Sequence, residues 1–242
     1  MDKRKRYQEK VDFVIQWLLE FGSSTPSLLC RAMELERRNQ GHFFLSLKKS
    51  GLVKTLKNPL IGEEIYLLSA EGKMRGGYLS EKAEKYWFSP SKIVMSTTIH
   101  SFSIQRVLAD RYSTSLPFKF QSERFIEHIH QAKRPDALVD DDGVRVALEV
   151  ELTQKSSGRI YLGFRDHLNA LKEGVYEKVL YVFPTEALKK AYLKRFDASL
   201  WPMYIKDANG KVRQEVRGGE LLEAEIKDGV RARFEFIVQE AY

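Results

Sequence analysis

Two glutamates separated by one residue, Glu149 and Glu151, are the side chains of this chain whose type and spacing could best support chemistry. In an extended strand, successive side chains point to opposite faces, so both glutamates project from the same face, about 6.6 Å apart along the strand. The other face of the same segment carries only valines and leucines. The alternation predicts a strand with a carboxylate face and an apolar face.

A third carboxylate, Asp136, begins the preceding segment, which an Asp-Asp-Asp-Gly turn connects to the glutamate strand. If an even-numbered loop that pairs Val139 with Val144 closes this hairpin, Asp136 lies opposite Ala147, on the carboxylate face and diagonal to Glu149. A slip of one residue would move Asp136 to the other face.

Three carboxylates on one face repel one another unless a cation or protons neutralise them. Oxygen ligands without cysteine suit Mg²⁺ or Mn²⁺. We therefore predict that Asp136, Glu149 and Glu151 bind a metal ion that polarises a phosphate and lowers the pKa of an attacking water. The alternative is an edge hairpin whose polar face is solvated and has no function.

The segments around these carboxylates alternate between helical and strand-like patterns, which predicts an α/β domain with a mixed sheet. The order is one helix, three strands, a helix, a strand, a helix and a strand. The segments are a helix over 101–112, strands at PFKFQ, DALVD and VRVALEVEL, a helix over 159–172, the strand KVLYVFP, the helix TEALKKAYLKRF and the strand WPMYIKD. The sequence after residue 206 should add short strands that the pattern does not place.

The N-terminal part has the pattern of a winged helix-turn-helix. It predicts a helix that ends at Phe21-Gly22, a second helix capped near Thr25-Pro26 and a third from near Glu36 to Gly51, followed by a β-hairpin. In such a module the third helix enters the major groove and the wing contacts phosphates. The predicted base-reading residues are Arg37, Arg38, Asn39 and Gln40, and the predicted phosphate contacts are Lys48, Lys49, Lys54 and Lys57. The alternative is a three-helix module with solvated charges.

The C-terminal motifs resemble those of the PD-(D/E)xK nuclease superfamily. Pro135-Asp136 matches its first motif, and Glu149-Val150-Glu151 stands at its second. Glu151 occupies the position where the superfamily usually has Lys, and Lys155 could supply the displaced positive charge. The resemblance implies an α/β (α+β) fold with a nuclease-like domain over 96–242, which follows the winged helix-turn-helix that the pattern predicts over 1–95.

A closer resemblance, over most of the chain to about residue 206, is to the replication-relaxation group and within it to the MobC-type plasmid mobilisation relaxases. It rests on the winged helix and on IHSFSIQRVLADRY, RPDALV and LEVELTQKSSGRI. It implies double-stranded DNA at a plasmid transfer origin as substrate, strand-specific nicking, and a second mobilisation protein and a coupling protein as partners. His100 matches a histidine of that group and could be a metal ligand or a proton shuttle; a capping or packed histidine is the alternative. His128 and His130 are interpreted as structural.

Charge and composition agree with a DNA-binding, cytoplasmic protein. The net charge is +7, and residues 1–95 hold 17 Lys/Arg against 11 Asp/Glu, which favours a polyanionic partner. The single cysteine, Cys30, excludes an internal disulfide and a cysteine-rich zinc site. We expect no membrane insertion, because no apolar run reaches about 20 residues.

Three functions are compatible with these residues. The 11 tyrosines fall in no recognisable relaxase motif and no three-histidine cluster is present, so we predict hydrolytic nicking without a tyrosyl link. The alternatives are an inactive DNA-binding regulator of replication or transcription and a restriction-type endonuclease.

Overall fold

The computed structural model describes residues 2–59, 61–86, 94–112, 114–127 and 134–242. Over these ranges the chain is mixed α/β, with eight α-helices and a mixed sheet, as the sequence predicts. It divides into two compact units, Met1–Phe125 together with Tyr242, and Ile126–Ala241. This division at 125/126 differs from the expected boundary at 95/96. No helix in these ranges is both long enough and apolar enough to cross a membrane.

The first unit contains five helices and a small antiparallel sheet of order β1-β3-β2. Its elements are α1 (Lys3–Phe21), β1 (Ser23–Ser24), α2 (Pro26–Ala32), α3 (Gly41–Lys49), β2 (Val53–Lys57), β3 (Glu64–Leu68), α4 (Ala70–Gly77), α5 (Met95–Arg111) and β4 (Phe120–Ser122). Single 3₁₀ turns cover Arg37–Asn39 and Glu81–Ala83. The β2–β3 hairpin and the helices before it have the order that the sequence predicts.

The helix boundaries at the start of the unit follow local rules. Helix α1 ends where Gly22 takes a positive φ of 84°, a conformation that glycine adopts without steric cost. Thr25 caps α2 by accepting a hydrogen bond from the Leu28 N–H, and Pro26 occupies the first turn, where its missing N–H leaves no bond unmade. Gly51, predicted to end the third helix, has a φ of 76°.

The predicted start of the third helix near Glu36 is wrong. Arg38 and Asn39 both donate side-chain hydrogen bonds to the Glu36 carboxylate, which closes these residues into the 3₁₀ turn. Helix α3 starts after this turn, at Gly41, and Gln40 is its N-terminal cap residue. Arg37, Arg38 and Asn39 therefore precede α3 instead of forming its first turn.

Helix α5 belongs to the first unit because its buried side complements α1 and α2. The Trp17 indole donates a 2.8 Å hydrogen bond to Gln105 Oε1, and Gln105 Nε2 donates to the Ser23 carbonyl. Phe102 packs in an apolar cluster with Leu28 and Leu67. The helix also begins at Met95, six residues before the predicted start.

The second unit is built on four strands in the order β14-β7-β6-β5. Its elements are β5 (Ala137–Asp141), β6 (Val144–Val150), α6 (Ser157–Lys172), β7 (Lys178–Phe183), α7 (Glu186–Phe196), β8 (Leu200–Pro202), β9 (Tyr204–Lys206), β10 (Val212–Gln214), β11 (Val216–Arg217), β12 (Glu220–Leu221), β13 (Glu223–Glu225), α8 (Asp228–Arg231) and β14 (Phe234–Val238). Strands β6, β7 and β14 are parallel neighbours, whereas β5 is antiparallel to β6. The order of strands and helices up to α7 agrees with the sequence pattern.

The turn between β5 and β6 is shorter than the sequence pattern suggested. Only Asp142 and Gly143 form the loop, both with positive φ, as a tight type I′ hairpin requires. Val139 consequently pairs with Val146 instead of Val144. Because the register shifts by two residues, each side chain stays on the face of the sheet that was predicted for it. The pair Ala137–Leu148 is the last one in the ladder, and continuing the register by one residue puts Asp136 across from Glu149.

The strand predicted at WPMYIKD is wrong as a single element of the main sheet. It divides into β8, which pairs with β13, and β9, which pairs with β10. Pro202 provides no N–H at the break, and the Met203 N–H and C=O instead bond Leu222 and Glu215. Strand β14 occupies the remaining position in the main sheet, beside β7.

Candidate functional site: a buried carboxylate cleft

Glu149 and Glu151 lie at the carboxyl end of β6, between neighbouring strands. Glu149 pairs in register with Tyr181 of β7, and the Glu151 N–H continues the ladder to the Val182 carbonyl at 2.9 Å. Their exposed fractions are only 2% and 5%. The alternative of a solvated carboxylate face is therefore wrong. Helix α6 and its aromatic core cover this face, because Ala147 packs in the same buried cluster as Phe164.

Asp136 is buried as well and has a different partner. Its Oδ2 accepts a 2.8 Å hydrogen bond from the Val150 N–H, the peptide between the two glutamates. The carboxylate therefore holds the end of β6 in place. Asp136 is not one of the described residues that line the cleft beside Glu149 and Glu151.

A histidine that the sequence pattern did not indicate, His167, contacts Glu149. His167 Nε2 lies 3.3 Å from Glu149 Oε1, and His167 Nδ1 lies 2.6 Å from the Tyr176 hydroxyl. All three side chains are almost completely buried. His167 comes from α6 and Tyr176 from the loop that follows it, so this helix fixes the position of the catalytic candidate.

Glu151 is supported by a cation. Lys155 Nζ lies 2.6 Å from Glu151 Oε1, and Lys155 is itself partly exposed. A charge-assisted contact of this length is stronger than a hydrogen bond between neutral groups. Lys155 thus lies beside Glu151; its role as the displaced positive charge of the motif stays a prediction.

Buried phenols complete the floor of the site. Burial, followed by the negative charges of Glu149 and Glu151, raises the pKa of Tyr181 well above its usual range. Burial and the neighbouring Glu151 raise the pKa of Tyr192 in the same way. A phenol with a raised pKa stays protonated near neutral pH and is a poor nucleophile. Both side chains therefore act as neutral groups.

These residues line a cleft of about 560 Å³ in the second unit. Helix α6 forms one wall and the β9–β10 hairpin contributes to the rim. The lining residues are Glu149, Glu151, Lys155, Ser156, Arg159, Ile160, Leu162, Gly163, Asp166, His167, Tyr181, Tyr192, Lys206, Gly210, Lys211 and Val212. Four are Lys or Arg and three are Asp or Glu, so the cleft combines an acidic floor with basic groups.

Several of these lining residues were missed at the level of sequence. Arg159, Gly163, Asp166 and His167 recur at three- and four-residue spacing along α6, which puts them on one side of the helix. That spacing is a signal that the sequence contains. Lys206 and Lys211 give no comparable signal, because their place depends on how the β9–β10 hairpin packs.

The donors in the cleft fit a hard divalent cation by their chemistry. Within the part of the chain that the structure describes, no three His, Cys, Asp or Glu side chains are arranged to hold a metal ion. Mg²⁺, however, is commonly held by one or two protein carboxylates, together with waters and substrate phosphates. Glu149 and Glu151 meet that smaller requirement at the cleft, while Asp136 binds backbone. The role of Asp136 as a ligand stays a prediction.

His100 lies in the second turn of α5, in the first unit. Its predicted role as a ligand or proton shuttle stays a prediction. His128 and His130 lie outside the described residues.

The candidate DNA-contacting residues of the first unit fall into two groups. Those before α3 are engaged within the protein. Arg37 stacks over the Phe44 ring, Arg38 and Asn39 bind Glu36, and Gln40 accepts from Lys10. Lys48 is ion-paired with Glu64 of β3 at 2.9 Å. Lys49, Lys54 and Lys57 are exposed on α3 and β2.

The solvent-facing side of α3 is made largely of residues that the sequence pattern did not indicate. His42, Leu45, Ser46 and Lys49 are exposed, whereas Phe43, Phe44 and Leu47 point into the core. Leu45 is an apolar side chain with 47% of its surface exposed. Because α3 starts later than predicted, Arg37 and Arg38 precede the helix and are not part of its exposed face.

Comparisons of the chain with family models, with curated proteins and with solved structures found no match.

Proposed function

We propose that the chain is a DNA-processing protein whose second unit nicks DNA by metal-dependent hydrolysis of a phosphodiester. The observation that carries this proposal is the pair of buried carboxylates, Glu149 and Glu151, which face one cleft that also has basic side chains. Burying two carboxylates that are two residues apart on one strand costs free energy of desolvation and repulsion unless positive charges compensate them. The cost is understandable if the site has to bind a cation.

The order of strands and helices around the carboxylates supports a PD-(D/E)xK-type domain. The antiparallel β5–β6 pair, the crossover through α6 and the parallel β7 agree with the core that the motif resemblance implies. The sheet also positions the two glutamates where a central strand ends. Both glutamates line the cleft at that end of the strand.

The first unit would deliver this domain to DNA as a winged helix-turn-helix. Three helices precede an antiparallel β2–β3 hairpin, and β1 completes its sheet. In that arrangement α3 would enter the major groove with His42, Ser46 and Lys49, and the hairpin would bring Lys54 and Lys57 to phosphates. Double-stranded DNA is the partner that this proposal assigns.

A divalent cation, Mg²⁺ or Mn²⁺, would polarise the phosphate and supply a hydroxide-like nucleophile when bound. Glu149 and Glu151 would hold it. His167 contacts Glu149, Lys155 forms an ion pair with Glu151, and Asp136 fixes the peptide between the two glutamates. Tyr181 and Tyr192 are the tyrosines among the residues that line the cleft, and their raised pKa values make them poor nucleophiles, so we propose hydrolysis without a tyrosyl intermediate.

The biological setting that we propose follows from the resemblance to MobC-type relaxases. It is strand-specific nicking at a plasmid transfer origin in the cytoplasm, with a second mobilisation protein and a coupling protein. Conversion of supercoiled plasmid to open circles tests it, with and without the transfer region and in Mg²⁺, Mn²⁺ or EDTA. Origin-dependent nicking that Glu149→Ala and Asp136→Ala both lose would support the enzyme.

An inactive DNA-binding regulator is the second candidate. The observation that favours it is that both glutamates already have protein partners, His167 and Lys155. Tight DNA binding without nicking in either metal, with the partner proteins supplied, would favour the regulator. A covalent DNA adduct on a tyrosine would contradict the hydrolytic route.

A further inference from the structure

The cations at the cleft have unequal freedom to bind a ligand. Lys155 forms an ion pair with Glu151 at 2.6 Å, so its positive charge is already largely compensated within the protein. Arg159, Lys206 and Lys211 are exposed at the same cleft. Within the described residues, none of the three side chains forms an ion pair. Their charges remain available to an anion.

The β9–β10 hairpin that carries the two lysines is firmly attached to α6. Gly158 allows the approach, because a Cβ there would lie 2.8 Å from the Tyr204 ring. Tyr204 stacks parallel to Tyr161 of α6, and Arg165 Nη1 donates to the Tyr204 carbonyl at 2.6 Å. The hairpin therefore stands at a fixed place beside the cleft.

The turn of this hairpin also contains an acidic residue, Asp207, which would offset the positive charge of Lys206 and Lys211 if it formed ion pairs with them. Asp207 instead accepts backbone hydrogen bonds from Asn209 and Lys211 through Oδ1, and Arg213 binds its Oδ2 at 2.8 Å. The carboxylate is used to shape the turn. Lys206 and Lys211 thus retain their charge at the rim, on either side of the turn in sequence.

We propose that Lys206, Lys211 and Arg159 form a clamp for the sugar-phosphate backbone of the DNA strand that lies over Glu149 and Glu151. The inference rests on the proposed function and deepens it. Phosphate oxygens are the polyanionic groups that a row of unpaired Lys and Arg side chains binds best. The carboxylates of the floor alone would repel that strand, and the clamp offsets this repulsion.

The first test measures how DNA affinity depends on salt, in EDTA so that no cleavage occurs. The probe is a short fluorescein-labelled DNA duplex, and the variant is Lys206→Gln with Lys211→Gln. We expect the slope of log K against log salt to become shallower by about 0.9 for each phosphate that the protein no longer neutralises. The matched control is Lys190→Gln with Lys194→Gln, two exposed lysines of α7 outside the cleft, and we expect its slope to equal that of the wild type.

The second test locates the DNA. Cys30 is the chain's only cysteine and is buried, and burial raises the pKa of its thiol. A thiol-reactive photocrosslinker will therefore label Lys206→Cys or Lys190→Cys selectively. Crosslinking of the DNA probe from position 206 and not from position 190 is the expected result.

Equal slopes in both double variants, or no crosslink from position 206, would overturn the clamp. Crosslinking to an RNA of the same sequence but not to DNA would overturn the choice of DNA. Neither measurement depends on cleavage, so the clamp and the proposed nicking fail separately. Crosslinking from position 206 without nicking in any metal, with the partner proteins supplied, would support the clamp and contradict the proposed nicking activity.

Discussion

The Asp136 carboxylate accepts a 2.8 Å hydrogen bond from the Val150 N–H, inside the peptide segment that separates Glu149 from Glu151. This bond links the aspartate of the first motif, Pro135-Asp136, to the backbone of the second motif, Glu149-Val150-Glu151. A shift of Val150 would move both neighbouring glutamates, because they project from the same strand. Asp136 therefore positions the carboxylates whether or not it also binds a metal ion.

Replacing Asp136 should separate its structural effect from its charge. Asp136→Ala leaves a buried N–H without its acceptor, which we expect to cost about 1–3 kcal/mol of stability. Asp136→Asn keeps an acceptor oxygen and should retain most of that stability. Thermal unfolding and amide hydrogen exchange at Val150 measure the difference. Equal loss of protection in both variants would contradict the bracing role.

Lys155 competes with any cation for Glu151, since its Nζ already contacts Oε1. Lys155→Gln removes this competitor, so we expect Mn²⁺ to bind about two- to five-fold more tightly, as for the loss of a partly exposed ion pair. Calorimetric titration with Mn²⁺ measures the change, and Lys190→Gln is the control. Weaker binding in Lys155→Gln would mean that the lysine assists the metal site.

The buried phenols should make the protein lose stability at alkaline pH. Burial raises the folded-state pKa of Tyr181 above its ordinary value of 10.0, and the same holds for Tyr176. Above about pH 10 the unfolded chain releases these protons while the folded chain keeps them, so unfolding becomes easier as pH rises. Each phenol should contribute a slope of about 1.4 kcal/mol per pH unit.

Denaturant unfolding over that alkaline range measures the slope. Tyr181→Phe should make the pH dependence less steep than in the wild type, although it changes the packing little. An identical pH dependence in the two proteins would show that Tyr181 titrates normally.

Two glycines of α6 offer a matched pair. A Cβ at Gly158 would lie 2.8 Å from the Tyr204 ring, whereas one at Gly163 would lie 3.7 Å from the Tyr181 hydroxyl. We expect Gly158→Ala to cost about 1–3 kcal/mol through overpacking and to loosen the β9–β10 hairpin. Gly163→Ala should be neutral or stabilise the helix by up to about 1 kcal/mol. Chemical denaturation and limited proteolysis within residues 204–214 compare them.

The extent of the first unit predicts which fragments fold. A fragment of residues 1–125 keeps α5, whose Phe102 and Gln105 complete the core around Trp17 and Leu28. A fragment of residues 1–95 exposes those surfaces. We expect cooperative unfolding by circular dichroism for the longer fragment and a poorly structured or aggregated shorter one. A stable, cooperative 1–95 fragment would contradict this assignment.

Local patterns predicted much of the fold, because caps, turns and alternation are local. Gly22, Thr25 and Gly51 act at the helix ends where their chemistry indicates, and the acidic hairpin keeps its parity. The two-residue register shift arises from Asp142 and Gly143, both of which adopt positive φ. An Asp-Asp-Asp-Gly turn is compatible with either loop length, so the sequence did not decide between them.

The rest of the site depends on contacts between distant segments. Glu149 and Glu151 were found from alternation, but nothing local indicates that His167 reaches Glu149 or that Lys206 faces the same cleft. The alternative of a solvated face failed because α6 covers it with aromatic side chains such as Phe164. Similarly, the hydrogen bond between Trp17 and Gln105 joins distant segments, so the local pattern did not indicate that α5 belongs to the first unit and that the boundary lies after residue 125.

The two contacts of the His167 ring favour one of its neutral tautomers. The raised pKa of Tyr176 keeps that phenol protonated, so its hydroxyl can donate to Nδ1 at 2.6 Å. A neutral imidazole that accepts at Nδ1 bears its hydrogen on Nε2, the atom that faces Glu149 at 3.3 Å. The opposite tautomer would set a lone pair against a carboxylate. In the favoured tautomer the N–H side of the ring faces Glu149, and Nε2 lies at contact distance from Oε1 without hydrogen-bond geometry.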